Sequence, residues 1–412
     1  MCRHFRCYLS IIFFALIVTI FISGNLQAQH FELVTNYALP DGVYGIFIDG
    51  SRAFIANDHA GMEIIDIGDP LNPTVMGSYD TPGYTRNIFV RGNYAYVADG
   101  DSGLVILDIS DPSQPQLLGR YISADNVLTV SVAGNYACLA NGYSGMPVIN
   151  ISNPAHPTLA GIYASPGYLM GVNVVDNYAY LSANYIEPDY GELQVIDISD
   201  TLNPYEAGNT IFTGGAYGVY ISGNYVYVAA FDYGMKIFDI SQTPSLFSVS
   251  SYNTPGSAKH IFVNGNYAFI ADGLNRVEAI DLTDPFTPAL ADSFDTHGMA
   301  NDISAAGDYV YIANGTELTV LQFRTSGCFF TPGDANGNGS FNGIDIVFDV
   351  NYFKGVGQPP PDTCDCPPHG YIYAAADANG NCQLNGLDVT YSVNFLKGRG
   401  PAPVVCPDCP AN

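Results

Sequence analysis

The chain has 412 residues, which is enough for one large domain or two unequal ones. Its 13 Lys and Arg against 39 Asp and Glu give a formal net charge of -26 at pH 7, which disfavours binding to nucleic acid or to an anionic membrane surface. The hydrophobic fraction of 48% excludes intrinsic disorder, and 30 Tyr, 43 Gly and 26 Pro predict an all-β protein rich in turns.

Residues 1–28 have the pattern of a secretory signal peptide. Arg3 and Arg6 precede an apolar run, and small residues lead to an expected cleavage after Ala28. We therefore expect a secreted protein, extracellular or on a bacterial cell surface, with no membrane span once the signal is removed. An uncleaved membrane anchor is the alternative.

Residues 29–325 repeat one pattern seven times. The phrase Gly-Asn-Tyr-Ala-Tyr-Val-Ala at Gly92 returns, exactly or loosely, at intervals of 42, 42, 42, 47, 42 and 42 residues from Gly50 to Gly307. A period in the low forties, with four short strand signals in each repeat, is typical of a β-propeller blade. The sequence therefore predicts an all-β, seven-bladed propeller.

The two ends of this region predict how the propeller closes. The last repeat lacks its fourth strand, whereas a strand from Phe31 to Leu39 precedes the first repeat and has no blade of its own. We predict that this N-terminal strand pairs beside Leu318 to Phe323, because such pairing completes the last blade and removes an open sheet edge.

A second recurring phrase carries a resemblance to a known family. The run from Leu104 to Pro112, Leu-Val-Ile-Leu-Asp-Ile-Ser-Asp-Pro, resembles the LVIVD repeat of exported bacterial surface proteins. The resemblance covers about Phe31 to Phe323 and implies a propeller and an exported location. It implies no particular biochemical activity.

Residues 326–412 contain two loops with the spacing of a calcium-binding loop. Oxygen-bearing residues stand at loop positions 1, 3, 5, 7, 9 and 12, and the pattern returns 43 residues further on. Each loop runs into a helical pattern that ends at Lys-Gly. The candidate ligands are Asp334, Asn336, Asn338, Ser340 (through its carbonyl), Asn342 and Asp345, then Asp377, Asn379, Asn381, Gln383, Asn385 and Asp388.

This duplicated half EF-hand resembles a type I dockerin, the module by which secreted polysaccharide-degrading proteins bind cohesin domains. The resemblance implies a small α-helical, calcium-dependent domain and a cohesin-like scaffold or cell-surface partner. The partner-facing positions of that family correspond here to Gly343, Ile344, Gly386 and Leu387. We expect two weak Ca²⁺ sites with Kd on the order of 10⁻⁴–10⁻³ M, the second weaker because Cys382 stands where Gly is usual. A loop pair that binds no metal is the alternative.

Six of the nine cysteines lie in the same C-terminal region. In an exported chain their spacing favours disulfide bonds of unknown connectivity, with a zinc site as the alternative.

Ligands of the propeller are expected at its axial channel, on the loops that lead into the inner strands. The candidate residues there are Asp41, Tyr44, Tyr84, Arg86, Asp125, Tyr168, Tyr217, His260 and His297. Asp41, Asp125 and Asp302 could be pictured as a carboxylate cluster for glycoside hydrolysis, although distance along the chain does not show that they converge. A loop from Asn184 to Glu192 carries the five extra residues of the fourth repeat and is a further candidate for function or for a tolerated insertion.

Two other features have a structural interpretation. An Asp that ends the third strand of most repeats, as Asp108 does, is expected to be architectural, and Cys138 is expected to be a buried thiol.

These features predict a secreted, non-catalytic binding or scaffold protein that binds a protein or glycan through the propeller and attaches to its partner through calcium. We assign no catalytic residue. The alternatives are a polysaccharide-degrading O-glycosyl hydrolase or accessory subunit of a cellulosome-like complex, and a purely structural surface-layer protein.

Overall fold

The computed structural model describes residues 31–185 and 190–323 and, further on, the two short strands Cys364–Cys366 and Gly370–Ile372. Phe31–Phe323 forms one compact unit, and every regular element described in it is a β-strand. The predicted signal peptide and the predicted calcium loops of the dockerin-like region lie outside the described residues. The two short strands pair with each other in antiparallel fashion.

The strands follow one another in sets of four, preceded by a single N-terminal strand. In chain order they are β1 (Phe31–Ala38); β2 (Gly45–Asp49), β3 (Arg52–Ala56), β4 (Met62–Asp66), β5 (Thr74–Tyr79); β6 (Asn87–Arg91), β7 (Tyr94–Ala98), β8 (Leu104–Asp108), β9 (Gln116–Tyr121); β10 (Thr129–Ala133), β11 (Tyr136–Ala140), β12 (Met146–Asn150), β13 (Thr158–Tyr163); β14 (Tyr168–Val175), β15 (Tyr178–Tyr185), β16 (Tyr190–Asp197), β17 (Tyr205–Thr213); β18 (Val219–Ser222), β19 (Tyr225–Ala229), β20 (Met235–Asp239), β21 (Phe247–Tyr252); β22 (His260–Asn264), β23 (Tyr267–Ala271), β24 (Gly273–Asp281), β25 (Ala289–Ala306); β26 (Tyr309–Asn314), β27 (Glu317–Phe323), and finally β28 (Cys364–Cys366) and β29 (Gly370–Ile372).

Each set of four forms an antiparallel meander, and the meanders are arranged in a ring. The first strand of each set contacts the first strand of the next, in the cycle β2, β6, β10, β14, β18, β22, β25 and back to β2. The long strand β25 serves as the outer strand of the sixth unit and the inner strand of the seventh, so these two units share one seven-stranded sheet. The architecture is a β-propeller-like repeat fold of seven units.

The N-terminal strand closes this ring. β1 pairs in antiparallel fashion with β27, with Phe31 opposite Phe323 and Ala38 opposite Glu317. The phenyl rings of Phe31 and Phe323 lie 5.0 Å apart, and Asp292 accepts a hydrogen bond from the Phe31 amide at 2.8 Å. The predicted pairing is therefore confirmed, and it gives the seventh unit its fourth strand.

The hydrophobic core lies in layers between neighbouring units. Between the first and second units, for example, Phe54 and Ile64 pack with Ile88 and Val97, and all four are buried. The second and third strands of each unit are almost wholly buried, whereas the outer strands are largely exposed, as the pattern of β9 shows. Such buried strands, covered on both faces, require the short apolar runs that recur in the sequence.

The outer strands approach the next unit closely at a position that recurs from unit to unit. A Cβ added to Gly77 would lie 2.4 Å from the Pro112 carbonyl oxygen, and one added to Gly119 would lie 2.3 Å from the Pro154 carbonyl oxygen. Glycine is needed at these positions because the backbone of the adjacent turn occupies the space of a side chain.

The recurring Asp at the end of the third strand has the architectural role expected of it. The Asp108 carboxylate accepts a hydrogen bond from the Ser110 amide at 2.9 Å, and in the third unit Asn150 accepts one from the Ser152 amide at the same distance. These are Asx turns, which satisfy a backbone donor where the strand ends.

The sequence extension of the fourth unit lengthens a hairpin. β15 and β16 pair as far as Tyr185 and Tyr190. Glu192 was expected in a loop, but it lies in β16 and is buried, where it accepts hydrogen bonds from Tyr185, Gln194 and Asn209. Its carboxylate links β15, β16 and β17 through these hydrogen bonds. Glu192 is in a strand because β15 and β16 continue to pair as far as Tyr185 and Tyr190.

Candidate functional site

One end of the ring axis opens into a small mouth to which all seven units contribute. Its volume is about 220 Å³. The lining positions recur with the period of the repeat, since each lies at the entry to an inner strand. The lining residues are Tyr44, Arg86, Asn87, Leu128, Thr129, Met170, Tyr217, Gly218, Lys259, His260, Asn301 and Asp302.

His260 and Asp302 form an ion-pair contact at the wall of the mouth. Nδ1 of His260 lies 2.5 Å from Oδ1 of Asp302. Burial opposes the charge on His260, but the Coulomb attraction and hydrogen bonding of Asp302 outweigh it and raise the pKa of His260 above its ordinary value. Asp302 also accepts hydrogen bonds from the Ile46 amide at 2.9 Å and from the Ile303 amide at 2.7 Å. The carboxylate is thus occupied on both oxygens and holds the histidine in place.

Lys259 lies beside this pair and is held by a neutral group. Its Nζ donates a hydrogen bond to Oδ1 of Asn301 at 2.8 Å, and the Asn301 amide nitrogen donates to the Val43 carbonyl at 2.8 Å. Burial lowers the pKa of Lys259 from its ordinary value. The amide orients the ammonium group without neutralising its charge.

Arg86 supplies a second strong cation. Its guanidinium lies 4.2 Å from the centre of the Tyr44 ring, and its Nη1 lies 3.6 Å from Oδ1 of Asp58. The ring of Tyr84 is further from the same guanidinium, at 5.8 Å. Stacking on Tyr44 therefore positions the planar fork of Arg86 at the mouth.

A larger cleft opens next to the mouth between the third, fourth and fifth units. It has a volume of about 630 Å³ and is lined mainly by aromatic side chains. The cleft and the mouth are adjacent, because Met170 and Tyr217 line both. The aromatic lining residues are Tyr143, Tyr168, Tyr185, Tyr217, Phe231 and Tyr233.

The rings of the cleft are held in pairs. Tyr217 and Phe231 are stacked with centroids 4.8 Å apart, and Tyr143 meets Tyr168 edge-on at 4.7 Å. Tyr143 and Tyr233 are well exposed, at 63% and 43%. The cleft therefore presents preformed aromatic surfaces to solvent.

The candidate residues named from the sequence lie at the mouth, in the cleft or outside both cavities. Tyr44, Arg86, Tyr217 and His260 line the mouth, and Tyr168 lines the cleft. Tyr84 packs against the His59 ring at 4.4 Å. The remaining ones, Asp41, Asp125 and His297, line neither cavity.

His297 was placed in a loop by the sequence, but the structure includes it in β25, with a backbone φ of 57°. Its side chain is 88% exposed and lies 3.8 Å from the Asp295 carboxylate.

The three acidic residues of the hypothetical catalytic cluster each have different hydrogen-bond partners and do not share one cavity. Asp41 accepts a hydrogen bond from the Gly42 amide, and Asp125 accepts bonds from the amides of Asn126 and Tyr143. Asp302 alone lines the mouth. Across the described residues, no group of three or more His, Cys, Asp or Glu side chains is arranged to hold a metal ion.

The sequence interpretation missed part of the site. Asn301 of the mouth and Tyr143, Phe231 and Tyr233 of the cleft were not selected. Lys259, next to the candidate His260 in the same channel loop, does line the mouth. The period contained a usable signal for the mouth, because Arg86 and Tyr44 are separated by 42 residues, as are Lys259 and Asn301. In the cleft only Tyr143 and Tyr185 are separated by 42 residues in the same way, and the other rings come from different positions of the repeat.

Comparison with known proteins identifies the repeat. Seven successive segments match the LVIVD repeat, namely residues 43–81, 82–123, 125–165, 166–210, 213–254, 255–296 and 297–321. They cover about two thirds of the chain, so the protein belongs to the LVIVD-repeat family. The last match is short because β1 supplies the final strand of that unit.

Solved structures support the fold alone. The crystal structure of the computationally designed Ika8 protein is similar with a TM-score of 0.54 and 11% identity, over 71% of this chain and 100% of that one. No curated protein matches the chain. Within the part of the chain that the structure describes, no helix is long and apolar enough to cross a membrane.

Proposed function

We propose that the protein is an exported, non-catalytic binding protein. Its propeller takes a glycan into the aromatic cleft, and its C-terminal region attaches it, through calcium, to a cohesin-like scaffold or cell-surface partner. The observation that supports the first part is the exposed aromatic cleft, which lies beside a mouth lined in part by polar side chains.

The chemistry of the cleft suits a sugar chain. Its volume of about 630 Å³ falls within the range of small-molecule sites. Aromatic faces bury the apolar C–H faces of sugar rings, while the polar edges at Asn184 and Asp232 can exchange hydrogen bonds with hydroxyl groups. Stacked pairs such as Tyr217 and Phe231 are fixed before binding, which reduces the ordering cost.

The acidic residues favour binding over hydrolysis. A glycosidase needs two carboxyl groups that face each other across the scissile bond. Asp302 is engaged by His260 and two backbone amides. Asp41 accepts a hydrogen bond from the Gly42 amide, and Asp125 accepts bonds from the amides of Asn126 and Tyr143. The hydrolase alternative therefore gains no support from these residues.

The glycan proposal can be tested by calorimetry on the mature chain with neutral oligosaccharides built from glucose, xylose, mannose or galactose. We expect at least one to bind, and Tyr143→Ala and Tyr233→Ala to weaken it about tenfold each, which corresponds to the loss of about 1.4 kcal/mol of apolar contact per ring. Tyr205→Ala is the matched control, because Tyr205 is an exposed tyrosine of the outer strand β17. Absence of binding, or equal effects of all three substitutions, would refute the proposal. Release of reducing ends would identify a hydrolase instead.

The calcium-dependent attachment rests on the sequence of the two loops. Asp334 and Asp377 occupy position 1 of each loop, where a carboxylate is the principal charged ligand. We expect the chain to capture a partner from the secreted proteins of its host with calcium and to lose it with chelator. Asp334→Ala should abolish capture, and Asp377→Ala should weaken it less. Capture that is indifferent to chelator would contradict this half of the proposal.

A further inference from the structure

The distribution of charge at the mouth is opposite to that of the whole protein. The chain carries a net charge of -26, yet the mouth is lined by Arg86, Lys259 and His260 against one carboxylate, Asp302. Basic side chains are scarce in the described residues, so two of them at one small opening are a notable concentration. A negatively charged ligand group would be attracted there and repelled elsewhere.

Lys259 is a partly buried cation whose hydrogen-bond partner is neutral and which could bind an anion. Among the described residues, Arg86 and Arg276 have ion-pair partners, but no carboxylate lies within ion-pair distance of Lys259. Its hydrogen bond to the Asn301 amide fixes the ammonium position and leaves two of its three N–H donors for a ligand. Partial burial makes an unneutralised charge unfavourable, and this cost would be relieved by an anion.

Arg86 offers geometric selection in addition to charge. Stacking on Tyr44 at 4.2 Å holds the guanidinium plane, and the contact with Asp58 is long at 3.6 Å. A planar fork of N–H donors matches a planar carboxylate.

The one acidic group of the mouth does not oppose this attraction strongly. Asp302 is 5% exposed and is paired with His260 at 2.5 Å. Both of its oxygens are engaged by His260 and by the amides of Ile46 and Ile303, so Lys259 and Arg86, whose contact with Asp58 is long, are the groups left to attract an anion.

The position of the cleft beside the mouth bears on what kind of anion fits. A ligand that fills the cleft reaches Tyr217 and Met170, which also line the mouth. A polyanionic chain would be repelled by the acidic protein and by Asp232 in the cleft. Building on the proposed glycan binding, we propose that the ligand is a largely neutral glycan bearing single uronic acid residues, one of whose carboxylates lies at the mouth beside Arg86 and Lys259.

The test compares oligosaccharides that have a neutral backbone of xylose, glucose, mannose or galactose and carry one glucuronic acid, each with its methyl ester, which removes the charge but keeps the sugar. The titrations use the mature full-length chain. We expect at least one acid to bind tenfold or more tightly than its ester, with an advantage that shrinks as salt is raised.

Charge-removing variants assign the effect to the mouth. Lys259→Met and Arg86→Gln should each abolish the preference for acid over ester, a ratio that a purely structural role of these residues would not change. Arg120→Gln is the matched control, because Arg120 is exposed on the outer strand β9, and it should preserve the preference. Unchanged melting temperatures show that the variants fold.

The outcomes separate the two proposals. Equal binding of acids and esters would overturn the uronate site while leaving glycan binding intact. Absence of binding by every acid and ester would overturn both. Tighter binding of a sulfated analogue than of the uronate would overturn the assignment of a carboxylate.

Discussion

Closure of the ring by β1 (Phe31–Ala38) can be tested at its first residue. Phe31 is 6% exposed, and its ring packs against Phe323 at 5.0 Å and Phe269 at 6.1 Å. Phe31→Ala removes these contacts and leaves a cavity, for which core substitutions of Phe cost about 3–5 kcal/mol. Leu33→Ala is the control, since Leu33 lies in the same strand and is 46% exposed.

The expected change in melting temperature follows from the size of the unit. Phe31–Phe323 contains roughly 300 residues, and an unfolding entropy of about 2.1 cal/mol/K per residue gives a fall of about 1.6 °C for each kcal/mol lost. Phe31→Ala should therefore melt about 5–8 °C lower by calorimetry, and Leu33→Ala within about 2 °C of the parent. Equal shifts for the two variants would refute the argument that β1 closes the ring through its buried face.

Three further predictions concern single residues. Gly77→Ala should destabilise the fold by about 1–3 kcal/mol in urea unfolding, since its Cβ would lie 2.4 Å from the Pro112 carbonyl oxygen, whereas Gly42→Ala, with an ordinary 3.4 Å contact, should be nearly neutral. Backbone and side-chain hydrogen bonds lower the pKa of Asp108, so its stabilising effect is present at neutral pH and is lost as the pH falls through the lowered value. Asp108→Asn should flatten this acid dependence of the melting temperature. An unchanged slope would count against this role of Asp108. Burial raises the pKa of Cys138 to about 12, so the native thiol should resist Ellman's reagent at pH 8. The folded state should also lose stability above about pH 9, where the thiol of the unfolded chain ionises. Rapid labelling of the native protein would contradict this prediction.

The repeat architecture is largely encoded in local sequence. In the second unit the apolar runs and the Gly-Asn turn at Gly92 predict strands from Arg86 to Val90 and from Leu104 to Ile109. The observed strands β6 (Asn87–Arg91) and β8 (Leu104–Asp108) agree with them within one residue. Turns, alternation and a period of 42 residues are short-range properties, and they define each meander independently of its neighbours. The free thiol of Cys138 and the capping role of Asp108 could be expected for the same reason.

The sequence alone could not distinguish a loop residue from a strand residue where the pairing extends. Glu192 was expected in a loop and His297 in a connection, but they lie in β16 (Tyr190–Asp197) and β25 (Ala289–Ala306). At Glu192 the strand continues because β15 offers further backbone partners, with Ala183 opposite Glu192. His297 lies in an irregular stretch of β25 between the pairs Arg276–Asp295 and Leu274–Met299. Both are properties of the sheet and not of the local residues.

The amino-acid sequence thus determined the repeat, its strands and the partner of its N-terminal strand, because these depend on periodic burial and on the need to cover an open edge. Only the tertiary structure decided which side chains meet at the axis. His260 and Asp302 are 42 residues apart in the chain and 2.5 Å apart in space, whereas Asp41 and Asp125 each accept a hydrogen bond from the amide of the following residue. The radius and closure of the ring set these distances, and both arise from the packing of whole sheets against one another.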